Sequence, residues 1–199
     1  MTNKQRLAVF ASGTGSNFAA IAEAIDEDRL DAEIALLVCD QPEAKVIGKA
    51  RNRQIPVFVF HAKKYPAKAD YEQEILRRLY DYHVDWLILA GYMRLIGNTL
   101  LSPFEGRIVN IHPSLLPAFP GKDAIGQALA AGVKQTGVTV HFVDEGMDTG
   151  SIIDQEAIRI QENDDRASLQ ANIQIIEHRL FPETIQALIQ TEKKEEIKS

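Results

Sequence analysis

"LAVFASGTGSNFAAI", residues 7–21, decides the architecture. The apolar run 7–11 is continuous rather than alternating, as expected of a strand covered on both faces. It breaks at Gly13 and Gly15, and from Asn17 onward apolar residues recur at helical spacing. A strand, a glycine turn and a helix in that order make the first half of a β-α-β unit.

The same alternation recurs along the chain. The runs 34–38 ("IALLV"), 57–60 ("VFVF"), 86–91 ("WLILAG") and 107–111 ("RIVNI") read as further strands. Amphipathic stretches at 17–30, 42–53 and 70–83 separate them. This order predicts right-handed crossovers and a mostly parallel, twisted sheet with helices on both faces. Beyond residue 121 the pattern changes. Residues 122–132 read as a helix stopped by Gly132, while 137–143 and 151–160 alternate with period two, predicting strands with one exposed face. Residues 164–190 form a long C-terminal helix, which Pro182 is expected to bend or break. The charge run "TEKKEEIKS" (191–199) predicts a solvated, fraying tail. Without repeats, low-complexity segments or linkers, 1–190 reads as one α/β domain.

The 199 residues are 45% hydrophobic and 25% charged, which fits a soluble globular protein with a sizeable core. A formal charge of −6 argues against non-specific binding to nucleic acid or an anionic membrane, so any polyanion must be held by local donors. The single cysteine, Cys39, lies in an apolar run and reads as a small buried hydrophobe; no internal disulfide can form. No stretch reaches the roughly 20 apolar residues of a membrane span, and the N-terminus lacks a signal-peptide pattern. The expected location is cytoplasmic.

Two places carry chemistry. In the glycine turn, Gly13 and Gly15 permit close backbone approach at a helix start, with Ser16 or Asn17 expected to cap the helix. Such a turn suits a monophosphate. It is neither a dinucleotide fingerprint, whose third glycine would fall at Phe18, nor a P-loop, which needs a lysine. The second place is "VNIHPSLLPAFPG" (109–121). Asn110 and His112 are two apart on a strand and project together from its carboxyl end, and Pro113, Pro117 and Pro120 stiffen the exit. A carboxylate should come from "DEGMDTG", where either Asp144 or Asp148 could reach the site. An amide, an imidazole and a carboxylate suit acyl transfer to an amine through a tetrahedral intermediate. No serine or cysteine stands as an obvious nucleophile, which favours direct transfer. His141, in mid-strand, reads as a packed or supporting residue. No close His/Cys ligand pair supports a metal site.

With these residues placed, the sequence resembles the phosphoribosylglycinamide formyltransferases (glycinamide ribonucleotide transformylases), a folate-dependent formyltransferase family. The likeness runs along nearly the whole chain, through "SGTGSN", "LAGYMRL", "VNIHPSLLPAFPG", "GVTVHFVDEGMDTG" and "IIEHRLFP". It implies a Rossmann-like single domain that transfers a formyl group from 10-formyltetrahydrofolate, the co-substrate, to phosphoribosylglycinamide in purine (IMP) biosynthesis, with no metal or redox cofactor. By this resemblance Asn110, His112 and Asp148 are catalytic. Gly15, Ser16, Asn17 and Glu177 bind the phosphoribosylglycinamide. Lys68, Tyr92, Met93, Arg94, Leu95, Asn110, Val143 and Asp144 face the folate. "GYMRL" taken alone reads as a strand exit, with Met93 and Leu95 in the core. Lys68 stands where many members carry an arginine near the folate's glutamate tail, keeping the charge but losing the bidentate fork. Arg94 and Lys68 are the expected local cations for the anionic substrates.

Two rivals remain. A formyltetrahydrofolate hydrolase uses the same site with water as acceptor, and would be expected to carry a further domain before the first strand. A non-catalytic nucleotide-binding module would use the glycine turn but leaves Asn110, His112 and Asp148 unexplained. Methionyl-tRNA and sugar-nucleotide formyltransferases share the fold but carry further C-terminal domains. The expected partners are small molecules, and a homodimer is one way of covering a sheet edge.

Overall fold

The computed structural model describes residues 4–196. Five strands, β1 (Gln5–Phe10), β2 (Ala32–Cys39), β3 (Val57–Val59), β4 (Trp86–Leu89) and β5 (Ile108–His112), form the parallel part of one sheet. β6 (Gln135–Phe142) and β7 (Ile152–Arg159) extend it antiparallel, giving the order β3-β2-β1-β4-β5-β6-β7. The chain thus works outward from β1 to one edge, then returns to place β4 on its other side. The switch point between β1 and β4 is where an open α/β sheet leaves a crevice at its strand ends.

Side chains alternate across the sheet and build two cores. Leu7 and Val9 of β1 join one, together with Phe18 and Ile21 of α1 (Ser16–Asp26) and Val46 and Ala50 of α2 (Lys45–Asn52). Ala8 and Phe10 join the other, with Tyr71, Ile75 and Leu79 of α3 (Lys68–Asp81) and Leu100 of the short α4 (Asn98–Leu101). Residues 7–10 are wholly inaccessible, which explains why the run is continuously apolar. Each such large side chain contributes roughly 1.5–3 kcal/mol on burial.

Three expectations need correcting. β6 does not have an exposed face: Thr136, Gly137, Val138, Thr139, Val140 and His141 are all buried. Val138 and Val140 pack with Ile173, Phe181 and Ile185 of the C-terminal helix α6 (Arg166–Glu196). The opposite face is covered by the loop after β5, where Thr139 Oγ1 donates to Ser114 O (2.7 Å) and accepts from Leu116 N (3.0 Å). The polar alternation therefore reflects hydrogen bonding to a loop rather than to water. Next, Pro182 does not break α6, which runs through it with Leu180, Phe181 and Ile185 seated in the core. Finally, the charge run does not begin a tail at 191: α6 continues to Glu196, and Glu192 accepts from Trp86 Nε1 (3.1 Å) and pairs with Arg107. Lys193 pairs with Asp31 at 2.6 Å. The end of that run, 197–199, lies outside the described residues. α5 (Ala124–Ala131) matches its expected span to within two residues and ends at Gly132 in the left-handed region.

Two glycines give opposite expectations. A Cβ on Gly137 would lie 2.1 Å from Glu156 O across the β6–β7 pair, whereas one on Gly48, exposed within α2, meets nothing within 4 Å. Gly137→Ala is expected to cost about 1–3 kcal/mol through strand displacement. Gly48→Ala is expected to stabilise by about 0.5–1 kcal/mol through lower unfolded-state entropy. Urea unfolding of both variants checks the pair, and a neutral Gly137→Ala would show that the β6–β7 register can yield.

Candidate active site

A cavity of about 630 Å³ opens at the switch point. Its walls are the turn after β1, the segment after β4, the end of β5, the loop after β6 and one face of α6. At its centre, Asn110 Nδ2 lies 3.1 Å from His141 Nε2 and 3.4 Å from Asp148 Oδ1. His112 Nδ1 lies 3.4 Å from Asp148 Oδ2, and its Nε2–H donates to Phe119 O at 2.9 Å. Gly121 N–H donates to Asp148 Oδ2 at 2.7 Å.

Local sequence explains how these groups meet. β6 runs antiparallel to β5, pairing His141 with Asn110, so its exit loop passes the start of β5, where Val143 N–H donates to Ile108 O. Asp144 then accepts from Gly146 N (3.0 Å) and Thr149 Oγ1 (2.7 Å), folding the loop back so that Asp148 reaches the site. Of the two candidate carboxylates, Asp148 joins Asn110 and His112, and Asp144 shapes the loop. Asp148 adopts a left-handed backbone (φ 56°), which the hydrogen bonds to its side chain offset. The proline stretch is fixed by Ser114 Oγ donating to Ala118 O (2.6 Å) and by Gln155 Nε2 donating to Leu116 O (2.9 Å).

The electrostatics favour an ionised Asp148. Burial pushes its carboxyl up, but the His141 contact, the Gly121 N–H and the nearby His112 together hold it below the ordinary carboxylate range. His112 thus bridges the proline-rich loop through Nε2 and the Asp148 carboxylate through Nδ1. His141 Nδ1–H donates to Phe142 O at 2.8 Å, and Nε2 faces both Asn110 Nδ2 at 3.1 Å and Asp148 Oδ1 at 3.5 Å. His141 is thus a packed partner of the cluster, as its mid-strand position suggests.

The glycine turn differs from expectation in one detail. Neither Ser16 nor Asn17 caps α1; the N-cap is Gly15, at φ 70° with no side-chain cap. A Cβ there would sit 2.5 Å from Val46 Cγ2, so both backbone angle and space require glycine. The turn and the start of α1 line the cavity, where a helix leaves N–H groups without intrahelical acceptors. Asn17 is released to donate through Nδ2 to Glu177 Oε2 (3.0 Å). Glu177 is buried on α6, which pushes its carboxyl up, and Asn17 partly opposes that shift. Asn17 Oδ1 is buried with no hydrogen-bond partner among the described residues.

Tyr92, Met93, Arg94, Leu95, Val143 and Asp144 all line the cavity. Met93 and Leu95 are 68% and 50% exposed, so the reading of them as core is overturned and they form an apolar mouth instead. Lys68 is the exception among the expected residues. It does not line the cavity and lies 3.8 Å from the buried Glu72. Arg94 Nε likewise donates to the buried Asp40 at 2.7 Å. The two expected cations are therefore already paired. Sequence reading missed Gln170 and Gln174, which share the cavity-facing side of α6 with Glu177; the spacing 170, 174, 177 on a helix was the available signal. It also missed Asp40, a lone acidic residue at a strand end with no motif around it.

Comparison with known proteins agrees with this geometry. The formyl transferase family model matches residues 5–185. The phosphoribosylglycinamide formyltransferase of Bacillus subtilis is 55% identical over 93% of this chain and 95% of its own. The crystal structure of glycinamide ribonucleotide transformylase 1 from Geobacillus kaustophilus superposes with a TM-score of 0.91 at 58% identity, covering 94% of this chain and 99% of that one. A formyltetrahydrofolate deformylase from Pseudomonas syringae shares the fold (TM-score 0.86) at 26% identity, covering 96% of this chain and 63% of that one. A glycine turn at the switch point, an Asn–His–Asp cluster beside it and these similarities converge: the chain belongs to the formyl transferase family.

Proposed function

We propose that the chain is a phosphoribosylglycinamide formyltransferase, moving the formyl group of 10-formyltetrahydrofolate to the amine of 5-phosphoribosylglycinamide in purine biosynthesis. The observation that carries this reading is the meeting of Asn110, His112 and Asp148 between a glycine turn suited to phosphate and an apolar mouth suited to a pterin. The hydrolase reading is less well supported, since similarity falls from 58% identity with a transformylase to 26% with the deformylase.

The folate supplies the formyl group; the chain's residues do the rest. Gly15, Ser16 and Asn17 hold the ribotide phosphate by N–H groups at the start of α1, and Glu177 accepts from the ribotide. The folate lies against residues 92–95 and beside Val143 and Asp144. The longer of the two Asn110 contacts, 3.4 Å to Asp148, is the one free to turn toward the formyl oxygen. As the amine nitrogen bonds to the formyl carbon, that oxygen gains negative charge, and Asn110 Nδ2–H stabilises it, joined by His112 once a ring N–H turns from Phe119 O or Asp148 toward it. The ionised Asp148 accepts the proton that the amine loses, directly or through water. Collapse then breaks the bond to the folate nitrogen, which takes up that proton from Asp148 or from the water and leaves the carboxylate ionised again. With no nucleophile of the chain involved, transfer is direct. The substrates are small molecules, the enzyme is read as cytoplasmic, and the formal charge of −6 argues against non-specific binding to nucleic acid or anionic lipid. Among the described residues no helix is long and apolar enough to cross a membrane.

Steady-state turnover of 10-formyltetrahydrofolate should require phosphoribosylglycinamide, with the N-formyl product identified by mass spectrometry. Equal turnover without the ribotide would make water the acceptor. His112→Ala and Asp148→Asn are each expected to lower kcat by roughly two to four orders of magnitude while near-native circular dichroism persists. Near-normal kcat in either folded variant removes that residue from the chemistry.

The depressed pKa of Asp148 also has a stability signature. A carboxyl held lower in the folded state contributes stability above its unfolded pKa of about 3.9, and this is lost as pH falls through the folded value. Wild type should therefore exceed Asp148→Asn in unfolding free energy at pH 6–7, with the gap closing below about pH 3.9. A gap that widens on acidification would contradict the assignment.

A further inference from the structure

Residues 92–95 form a cavity wall without regular secondary structure, in which Met93 and Leu95 are exposed. What fixes this wall lies behind it. Met93 N–H donates to Ser12 Oγ (2.9 Å), Ser12 Oγ–H donates to Asp40 Oδ1 (2.6 Å), and Arg94 Nε–H donates to Asp40 Oδ2 (2.7 Å). Ser12, Asp40 and the wall follow β1, β2 and β4, which are neighbours in the sheet. Neither Ser12 nor Asp40 lines the cavity, and Asp40 is 1% exposed. A carboxylate buried this deeply is tolerated because both its oxygens accept from good donors. Gln41 Nε2 supplies a further, longer contact at 3.2 Å.

The glycine turn has other anchors. Val46 N–H donates to Gly13 O (3.2 Å), and Lys49 Nζ donates to Gly15 O (3.1 Å). Disturbing Asp40 therefore loosens one side of the cavity and leaves the phosphate side held.

We propose that Asp40 is a positioning residue for the formyl donor: through Ser12 and Arg94 it fixes the backbone of residues 92–95, against which the folate lies. The proposal rests on the transferase reading above. In it, Arg94 is a tether whose charge Asp40 already neutralises. The opposite role, a cation held in reserve for the carboxylates of the folate, makes the opposite prediction, because removing Asp40 would then free Arg94 and tighten folate binding.

The test is steady-state kinetics with each substrate varied, on wild type, Asp40→Ala, Asp40→Asn, Arg94→Ala and the Asp40→Ala/Arg94→Ala double variant. Asp40→Ala should raise KM for 10-formyltetrahydrofolate by about tenfold or more, the size expected for losing a charge-assisted hydrogen bond. KM for phosphoribosylglycinamide should stay within about twofold, the scatter of contacts outside the network. Asparagine, which keeps an acceptor oxygen, should recover part of the loss. Arg94→Ala should raise the same KM and add little in the double variant, since the two residues act as one unit. An unchanged or lowered folate KM in Asp40→Ala, or equal increases in both KM values, overturns the proposal. If Asp40→Ala does not fold, Asp40→Asn and Arg94→Ala carry the same comparison. Wild-type turnover independent of the ribotide would remove the transferase reading instead. Calorimetric binding of tetrahydrofolate to wild type and Asp40→Asn would still decide the role of Asp40, an unchanged Kd counting against it.

Discussion

The site depends on the carboxylate of Asp148, around which polar groups from three other segments gather. Gly121 N–H, Asn110 Nδ2, His112 Nδ1 and His141 Nε2 lie 2.7–3.5 Å from its two oxygens. Through them the end of β5, the proline-rich loop, β6 and the 144–150 loop become one unit. A carboxylate can do this because it offers about four lone-pair directions and a full charge where burial makes each hydrogen bond count for more. The same arrangement sets the chemistry. It places a carboxylate 3.4 Å from His112 Nδ1 and 3.4 Å from Asn110 Nδ2, so the amide, the imidazole and the charge share one small volume.

Around this hub the sheet works as a positioning device. The strand order brings the turn after β1 and the segment after β4 side by side, and the antiparallel β6 delivers the Asp148 loop from the opposite direction. One wall of the cavity is then the first turn of α1 with a face of α6, and another is the irregular backbone of residues 92–95, braced from behind. The first wall gains its precision from regular structure, and the second from buried side chains such as Asp40 and Glu72. Glu72 accepts from Gly97 N at 2.7 Å just beyond the wall.

Much of this was legible in the sequence, for reasons that differ by element. β1, β2, β4 and β5 announce themselves because strands buried on both faces must be apolar without interruption. Asn110 and His112 stand out because polar groups at such a strand end have no packing role. β6 was misread because Thr136, Thr139 and His141 look solvent-facing in one dimension, whereas each sits against other chain segments. The pairing of Arg94 with Asp40 joins residues 54 apart in sequence, and nothing local in either stretch encodes it. The seat of Glu192 against Trp86, 106 residues away, was hidden in the same way behind a run that reads as tail. Local pattern reveals what a segment buries; it does not reveal which distant charge meets which.

The length of α6 gives it a role beyond packing. At 31 residues it spans about 46 Å. Gln170, Gln174 and Glu177 stand at the cavity, and Glu192 is fastened beside Trp86 at the start of β4, at the opposite end of the parallel strands. These cavity-facing side chains are therefore carried on a helix anchored in the core, not on a loop. Their spacing follows the helical repeat and their height above the sheet follows the core packing beneath. A change of substrate preference can then arise from exchanging side chains on one face of that helix, with the path of the backbone left as it is.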